Sequence, residues 1–272
     1  MNIPFVKMHA NGNDFVIIDC RTNNFKFDKS QISRLSNRHT GIGCDQFILL
    51  EKSQKRDIFM KIFNPDGAEA KMCGNAAICV SSLIFASKKT NSISIETISS
   101  DLTASLNVDG KISVSIKLPA QVFKNMLKID QVNVHNINFA KIHPDLNSGI
   151  LVNMGNPHIV FIVQKLENLD LLKYGEKIEK NELFSDGINV EIVEIVNRNN
   201  LKIKFWERGA GLTLSCGSGI LSSFYACYKK GLCDAKSNII IPNGKVTTSI
   251  KDDILTISTI ATVSFLGEFS NE

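Results

Sequence analysis

Met72-Cys73-Gly74-Asn75-Ala76-Ala77-Ile78-Cys79-Val80-Ser81-Ser82-Leu83-Ile84-Phe85-Ala86 decides the fold, because the chain contains it in two versions. The second is Ser215-Cys216-Gly217-Ser218-Gly219-Ile220-Leu221-Ser222-Ser223-Phe224-Tyr225-Ala226-Cys227-Tyr228. After the Cys-Gly step each runs apolar on nearly every side. That is the mark of a helix buried all round, not of one lying on a surface. From 73 to 216 is 143 residues, and the same offset carries Gly12-Asn13 onto Gly155-Asn156 and Lys61-Ile62-Phe63 onto Lys204-Phe205-Trp206. It also carries the turn Asp109-Gly110 onto Asp252-Asp253. Each Gly-Asn leads into an apolar run, Phe15 to Ile18 and Ile159 to Ile162. The chain is an internal duplication.

Around the two helices the sequence reads as strand. Phe47 to Leu50 and Met60 to Phe63 are short apolar runs, the latter closed by the turn Asn64-Pro65-Asp66-Gly67. Ser92 to Thr97, Leu102 to Val108 and Ile112 to Ile116 alternate with period two, and Asp109-Gly110 joins the last two as a hairpin. Ile150 to Asn153, Leu201 to Trp206, Ile239 to Ile241, Val246 to Ile250 and Ile254 to Ile260 repeat the pattern. Lys88-Lys89 and Lys229-Lys230 read as helix-end charges, with Gly231 as the stop signal of the second helix. The predicted fold class is α+β: two pseudo-symmetric domains, each a curled, mostly antiparallel sheet wrapped around one buried helix. The first domain is expected over residues 1–118 plus a returning C-terminal strand, 261–272, and the second over 119–260.

A net charge of +4 over 272 residues is too weak to point to nucleic acid. The N-terminal Met1 to Lys7 has no signal-peptide core, and no apolar run approaches the ~18 residues of a membrane span. A cytoplasmic protein with reduced thiols is expected. Its seven cysteines include no C-x2-C pair, which argues against a zinc ribbon.

A cysteine at the start of a buried helix is a chemical signal. The helix tip offers unpaired N–H groups and the positive end of a dipole. Both favour a thiolate, so the tip is expected to lower the thiol's pKa from about 8.5. The same N–H groups can hold a carboxylate, and Gly74 and Gly217 leave room for it. Two such tips would set one sulfur on each face of an amino acid's α-carbon, one taking a proton and the other returning one. The competing interpretation of any cysteine is a small buried hydrophobe. It suits Cys20, Cys79, Cys227 and Cys233, and is favoured for Cys44. For Cys73 and Cys216 it ignores their coincidence in the repeat.

These residues resemble the diaminopimelate epimerase family. The likeness runs along Lys7-Met8-His9, Gly12-Asn13-Asp14-Phe15, Gly41-Ile42-Gly43-Cys44-Asp45-Gln46, Phe63-Asn64-Pro65-Asp66-Gly67 and Met72-Cys73-Gly74-Asn75. It continues through Gly155-Asn156-Pro157-His158, Trp206-Glu207-Arg208-Gly209-Ala210-Gly211 and Cys216-Gly217-Ser218-Gly219. The resemblance implies conversion of LL-2,6-diaminopimelate to the meso isomer, in lysine and peptidoglycan precursor synthesis, with no cofactor and no metal. It implies Cys73 and Cys216 as the catalytic pair. Asn13, Gln46, Asn64, Asn156, Asn189 and Arg208 are implied as the substrate pocket. Gly74, Asn75, Gly217 and Ser218 are implied as a carboxylate cradle. His158 and Glu207 are implied to tune the thiols, with Glu207 also against substrate.

The chemistry agrees with these roles. Diaminopimelate carries an amino-carboxylate at each end, which suits an Arg for the distal carboxylate and amide side chains for the ammonium groups. The chain departs from the family's usual pattern at Ala10-Asn11, Ala76, Ile78, Ser185-Asp186-Gly187-Ile188, Leu212 and Ser218, none of which removes a reacting group. Two alternatives use the same features: a proline racemase-like enzyme, and an amino-acid-binding protein without catalysis. No nucleic-acid or membrane partner is expected, and antiparallel edges are compatible with a homodimer.

Overall fold

The computed structural model describes residues 2–23, 25–87, 90–128 and 133–270; the expected helix-end pair Lys88-Lys89 lies outside them. The chain divides into two compact units, Met1–Ile116 with Ser258–Glu272, and Lys117–Ile257. In chain order the first half holds β1 (Asn2–Ala10), β2 (Asn13–Asp19), α1 (Lys29–Ser36), β3 (Gln46–Glu51), β4 (Ile58–Phe63) and β5 (Glu69–Ala70). It continues with α2 (Gly74–Ser87), β6 (Ser92–Glu96), β7 (Asp101–Leu106) and β8 (Ile112–Lys117). The second half holds β9 (Gly149–Asn153), β10 (Pro157–Val163), α3 (Leu171–Glu179), β11 (Asn189–Asn197), β12 (Asn200–Glu207) and β13 (Gly211–Thr213). Then come α4 (Gly217–Lys229), β14 (Lys236–Ile241), β15 (Gly244–Lys251), β16 (Ile254–Thr259) and β17 (Thr262–Ser270).

In the first unit β1 and β2 pair antiparallel, β2 and β3 parallel, β3 and β4 antiparallel, and β4 and β6 parallel, with β7 and β8 completing a meander. The second unit repeats the order from β9 through β10, β11 and β12 to β14. The repeat holds to the register. Phe15 lies opposite Gln46, and His158 opposite Asn189. Phe47 lies opposite Phe63, and Val190 opposite Trp206. β17 has no counterpart in the repeat and pairs antiparallel with β1, from Asn2 against Ser270 to His9 against Thr262. The architecture is α+β, a curled sheet with few helices.

Burial on both faces explains the apolar runs. Val16, Ile18, Phe47 and Leu49 pack with Ile32 and Leu35 of α1 on one face of the first sheet. The alternate residues Phe15, Ile17, Ile48 and Leu50 point the other way and are buried too. Helix α2 packs against β1, β2, β6 and β7, and α4 against β9 to β12, β14 and β15. Neither has a polar face to show water, as their sequences require. The turn between β15 and β16 is Asp252-Asp253 with both φ values positive, 49° and 59°, as a two-residue hairpin with the sheet's own twist demands. Gly231, at φ 70°, follows the C-cap Lys230 of α4.

Candidate active site

Each Cys-Gly step stands at the tip of its central helix. Cys216 is the N-cap of α4, and its Sγ accepts the Gly219 N–H at 3.4 Å. Cys73 does the same for α2, with the Ala76 N–H at 3.4 Å from Sγ and the Ala77 N–H on its carbonyl at 3.1 Å. A sulfur thus stands where a Ser or Asp side chain ordinarily caps a helix. A Cβ built on Gly74 meets no atom within 4 Å, so the space over that tip is open and the glycine is not demanded by packing.

In the first unit the Asn13 amide lies between Cys73 and Asn75. Asn75 Nδ2 donates to Asn13 Oδ1 at 3.3 Å, and the Cys73 thiol faces the same oxygen at 3.9 Å. Gln46 Nε2 donates to Asn64 Oδ1 at 3.2 Å, while Gln46 Oε1 is buried with no partner among the described residues. Asn13 is held from behind by Asp45, whose Oδ2 accepts its Nδ2–H at 3.0 Å. Asp45 also shares Arg38 with Asp14. The Arg38 and Lys7 cations and their hydrogen bonds outweigh burial and hold the Asp14 carboxyl well below the ordinary range.

The second unit places Asn156 on Ser218 as the first places Asn13 on Asn75: Asn156 Nδ2 donates to Ser218 Oγ at 3.4 Å. Ser218 Oγ lies 3.5 Å from Cys216 Sγ. His158 is fully buried, with Nε2 3.0 Å from Asn156 Oδ1 and Nδ1 2.7 Å from Glu191 Oε1. Among the described residues Asn189 bonds to backbone, donating to the Pro157 carbonyl at 2.8 Å and accepting the Arg208 N–H at 3.0 Å. It therefore fixes the chain at Arg208, whose exposed guanidinium reaches the Asp186 carbonyl at 3.2 Å.

The expectation that a helix tip lowers the thiol's pKa is corrected at Cys216. Burial, with the Glu207 and Glu191 carboxylates beside it, raises this thiol well above its ordinary value; the Ser218 hydroxyl and Gly219 N–H oppose the shift and lose. Burial likewise raises the Glu207 carboxyl, against hydrogen bonds with Thr213 and Cys216. Burial likewise raises the thiols of Cys20 and Cys233 to about 11, and raises those of Cys79, Cys227 and Cys44, the last packed in the core near Ser36. Away from the helix tips these raised thiols are structural.

Glu191 was missed by the sequence reading. The signal available was a carboxylate inside an apolar strand, at the place where the repeat has Ile48. Among the departures, Ile78 is fully buried on α2, whereas Leu212 is half exposed on β13. Among the described residues no group of three His, Cys, Asp or Glu side chains could hold a metal ion, and no helix is long and apolar enough to cross a membrane.

The family model for diaminopimelate epimerase matches residues 5–122 and 150–264. A diaminopimelate epimerase of Rickettsia africae (strain ESF-5) is 39% identical over 270 residues, covering 98% of this chain and 97% of its own. One from Zymomonas mobilis is 37% identical over 251 residues, covering 90% and 89%. Among solved structures, a phenazine biosynthesis protein of the PhzF family from Enterococcus faecalis superposes with a TM-score of 0.69 at 13% identity, over 99% of this chain and 100% of that one. A hydroxyproline epimerase from Agrobacterium vitis gives 0.66 at 12% identity, over 98% and 91%. At such identities those two speak for the fold alone. The family-model match over residues 5–122 and 150–264, with relatives 37–39% identical over 90–98% of the chain, places it in the diaminopimelate epimerase family.

Proposed function

We propose that this protein interconverts LL-2,6-diaminopimelate and meso-diaminopimelate by acid/base chemistry on two cysteines, in the synthesis of lysine and peptidoglycan precursors. The observation that carries the reading is the repeated helix tip, a sulfur on a backbone N–H at 3.4 Å in both halves of the chain. One thiolate removes the α-proton from one face, and the other group's S–H delivers a proton to the opposite face. The sulfur that gained a proton is then the acid for the reverse reaction, so the pair serves both directions. The raised pKa of Cys216 supports its resting as the thiol.

The remaining groups suit the substrate. The N–H groups of Gly74, Asn75, Gly217 and Ser218 bind the reacting carboxylate at the positive ends of the helices, where the charge that develops on deprotonation is also stabilised. The unpartnered Gln46 Oε1, with the Asn13, Asn64 and Asn156 amides, takes the ammonium groups. Arg208, positioned by Asn189 and exposed, takes the distal carboxylate.

The test is the pair of substitutions Cys73→Ala and Cys216→Ala. Loss of one general acid/base group is expected to lower turnover of LL-diaminopimelate by about 10²–10⁴-fold or more in each variant. Full turnover in either one contradicts the two-cysteine mechanism.

A further inference from the structure

We propose that Glu191 is a positioning residue which, through His158, Asn156 and Ser218, aims an O–H at the sulfur of Cys216. The inference rests on Cys216 being one of the reacting groups. Four contacts form an unbroken chain: Glu191 Oε1 to His158 Nδ1 at 2.7 Å, His158 Nε2 to Asn156 Oδ1 at 3.0 Å, Asn156 Nδ2 to Ser218 Oγ at 3.4 Å, and Ser218 Oγ to Cys216 Sγ at 3.5 Å.

The direction of the chain follows from what each atom can do. Asn156 gives its N–H to Ser218, so its carbonyl oxygen faces the imidazole. A carbonyl only accepts, so Nε2 carries a proton. The short contact between Nδ1 and the Glu191 carboxyl holds a second proton, formally on either atom. Ser218 already accepts from Asn156 and has its own O–H free to donate to sulfur. From Nε2 onward every donor in the chain points toward Cys216, and a thiolate formed there gains a hydrogen bond that is already oriented.

Two further features show that Glu191 is built into this place. A Cβ on Gly219 would lie 2.6 Å from Glu191 Oε1, so the glycine lets the carboxyl lie against the first turn of α4. The other carboxyl oxygen, Oε2, is buried with no hydrogen-bond partner among the described residues, so the imidazole is the anchor of this side chain. The first half of the chain has none of this. At the same offset Phe15 stands for His158, Ile48 for Glu191, and Ala76 for Gly219. The relay belongs to one thiol of the two.

Two measurements on the full chain test it, and neither needs substrate. In ¹⁵N-histidine NMR of the unmodified protein, Nε2 of His158 is expected to be protonated at pH 7 to 8; an unprotonated, pyridine-like Nε2 overturns the relay. Alkylation of Cys216 by iodoacetamide, followed by peptide mass, is expected to be about tenfold slower in Glu191→Leu than in Glu191→Gln, the effect of one lost hydrogen bond to a charged group. Both variants lose the carboxylate that raises this thiol, so the comparison isolates the hydrogen bond: a Gln amide can still hold Nδ1 and a Leu side chain cannot. Equal rates in the two variants overturn the proposal; equal rates that both exceed that of the wild type would make Glu191 a charge and not a hydrogen-bond anchor. Should the Leu variant not fold, the NMR result decides. Absence of epimerisation by the wild-type protein would strike at the proposed function and leave these two readouts intact.

Discussion

Glu207 and Asn64 occupy the same place in the two halves, 143 residues apart. The Asn13 amide oxygen faces Cys73, whereas Cys216 has the Glu207 and Glu191 carboxylates beside it. Glu207 is held against its own solvation. Its folded pKa is raised by burial, so its stabilising contribution is intact only below the unfolded value of about 4.3 and is lost as pH climbs through the folded one. Glu207→Gln is therefore expected to raise the melting temperature at pH 8 and to leave it little changed at pH 4. A lower melting temperature at pH 8 would show that the hydrogen bonds of Glu207 outweigh its burial. Cys73, Cys216 and Asn13 were legible at this scale because the repeat marks them. Glu191 was not, because its partner His158 lies 33 residues earlier and reaches it only once β10 and β11 pair. The rise in the Cys216 pKa was hidden for the same reason: sequence shows the helix tip, but not the carboxylates folded in beside it.

Among the elements, those apolar on all sides or cleanly alternating were legible, and those whose burial runs through polar residues were not. β1 was missed because it carries Pro4 and a buried Lys7, which is acceptable there because Asp14 pairs with it at 2.5 Å and the Gly43 carbonyl accepts from it. β11 hides behind Glu191 and Glu194, and the latter is held by the Leu166 N–H and Lys202. Helix α1 buries little more than Ile32 and Leu35, and its signal is a cap. Asp28 accepts the Gln31 N–H at 2.8 Å while the Gln31 side chain accepts the Asp28 N–H at 2.9 Å. That reciprocal pair satisfies two donors of the first turn. Asp28→Ala is expected to cost about 1 kcal/mol in urea unfolding. No change would mean that packing of Ile32 and Leu35 alone holds the helix. In α3 the interruption is Gly175, which looks like a weak point in a helix yet is required: a Cβ there would lie 2.3 Å from the Trp206 ring.

Across the whole molecule the duplication was the most legible property, since it needs only a constant offset and is then met by strand order and register alike. What the offset cannot carry is the departure from symmetry: the extra strand β17 against β1, and the ionisable groups gathered in the second half. A duplicated fold with unlike thiols suits a reaction in which the two sulfurs do opposite things. The most direct test is to offer LL-diaminopimelate to the reduced protein in D2O and analyse the first few per cent of meso product. Two separate thiols predict one deuterium at the inverted centre of nearly every product molecule, with the unreacted LL isomer almost unlabelled. Early product that keeps its original proton would mean that a single group removes and returns it, and would contradict the account.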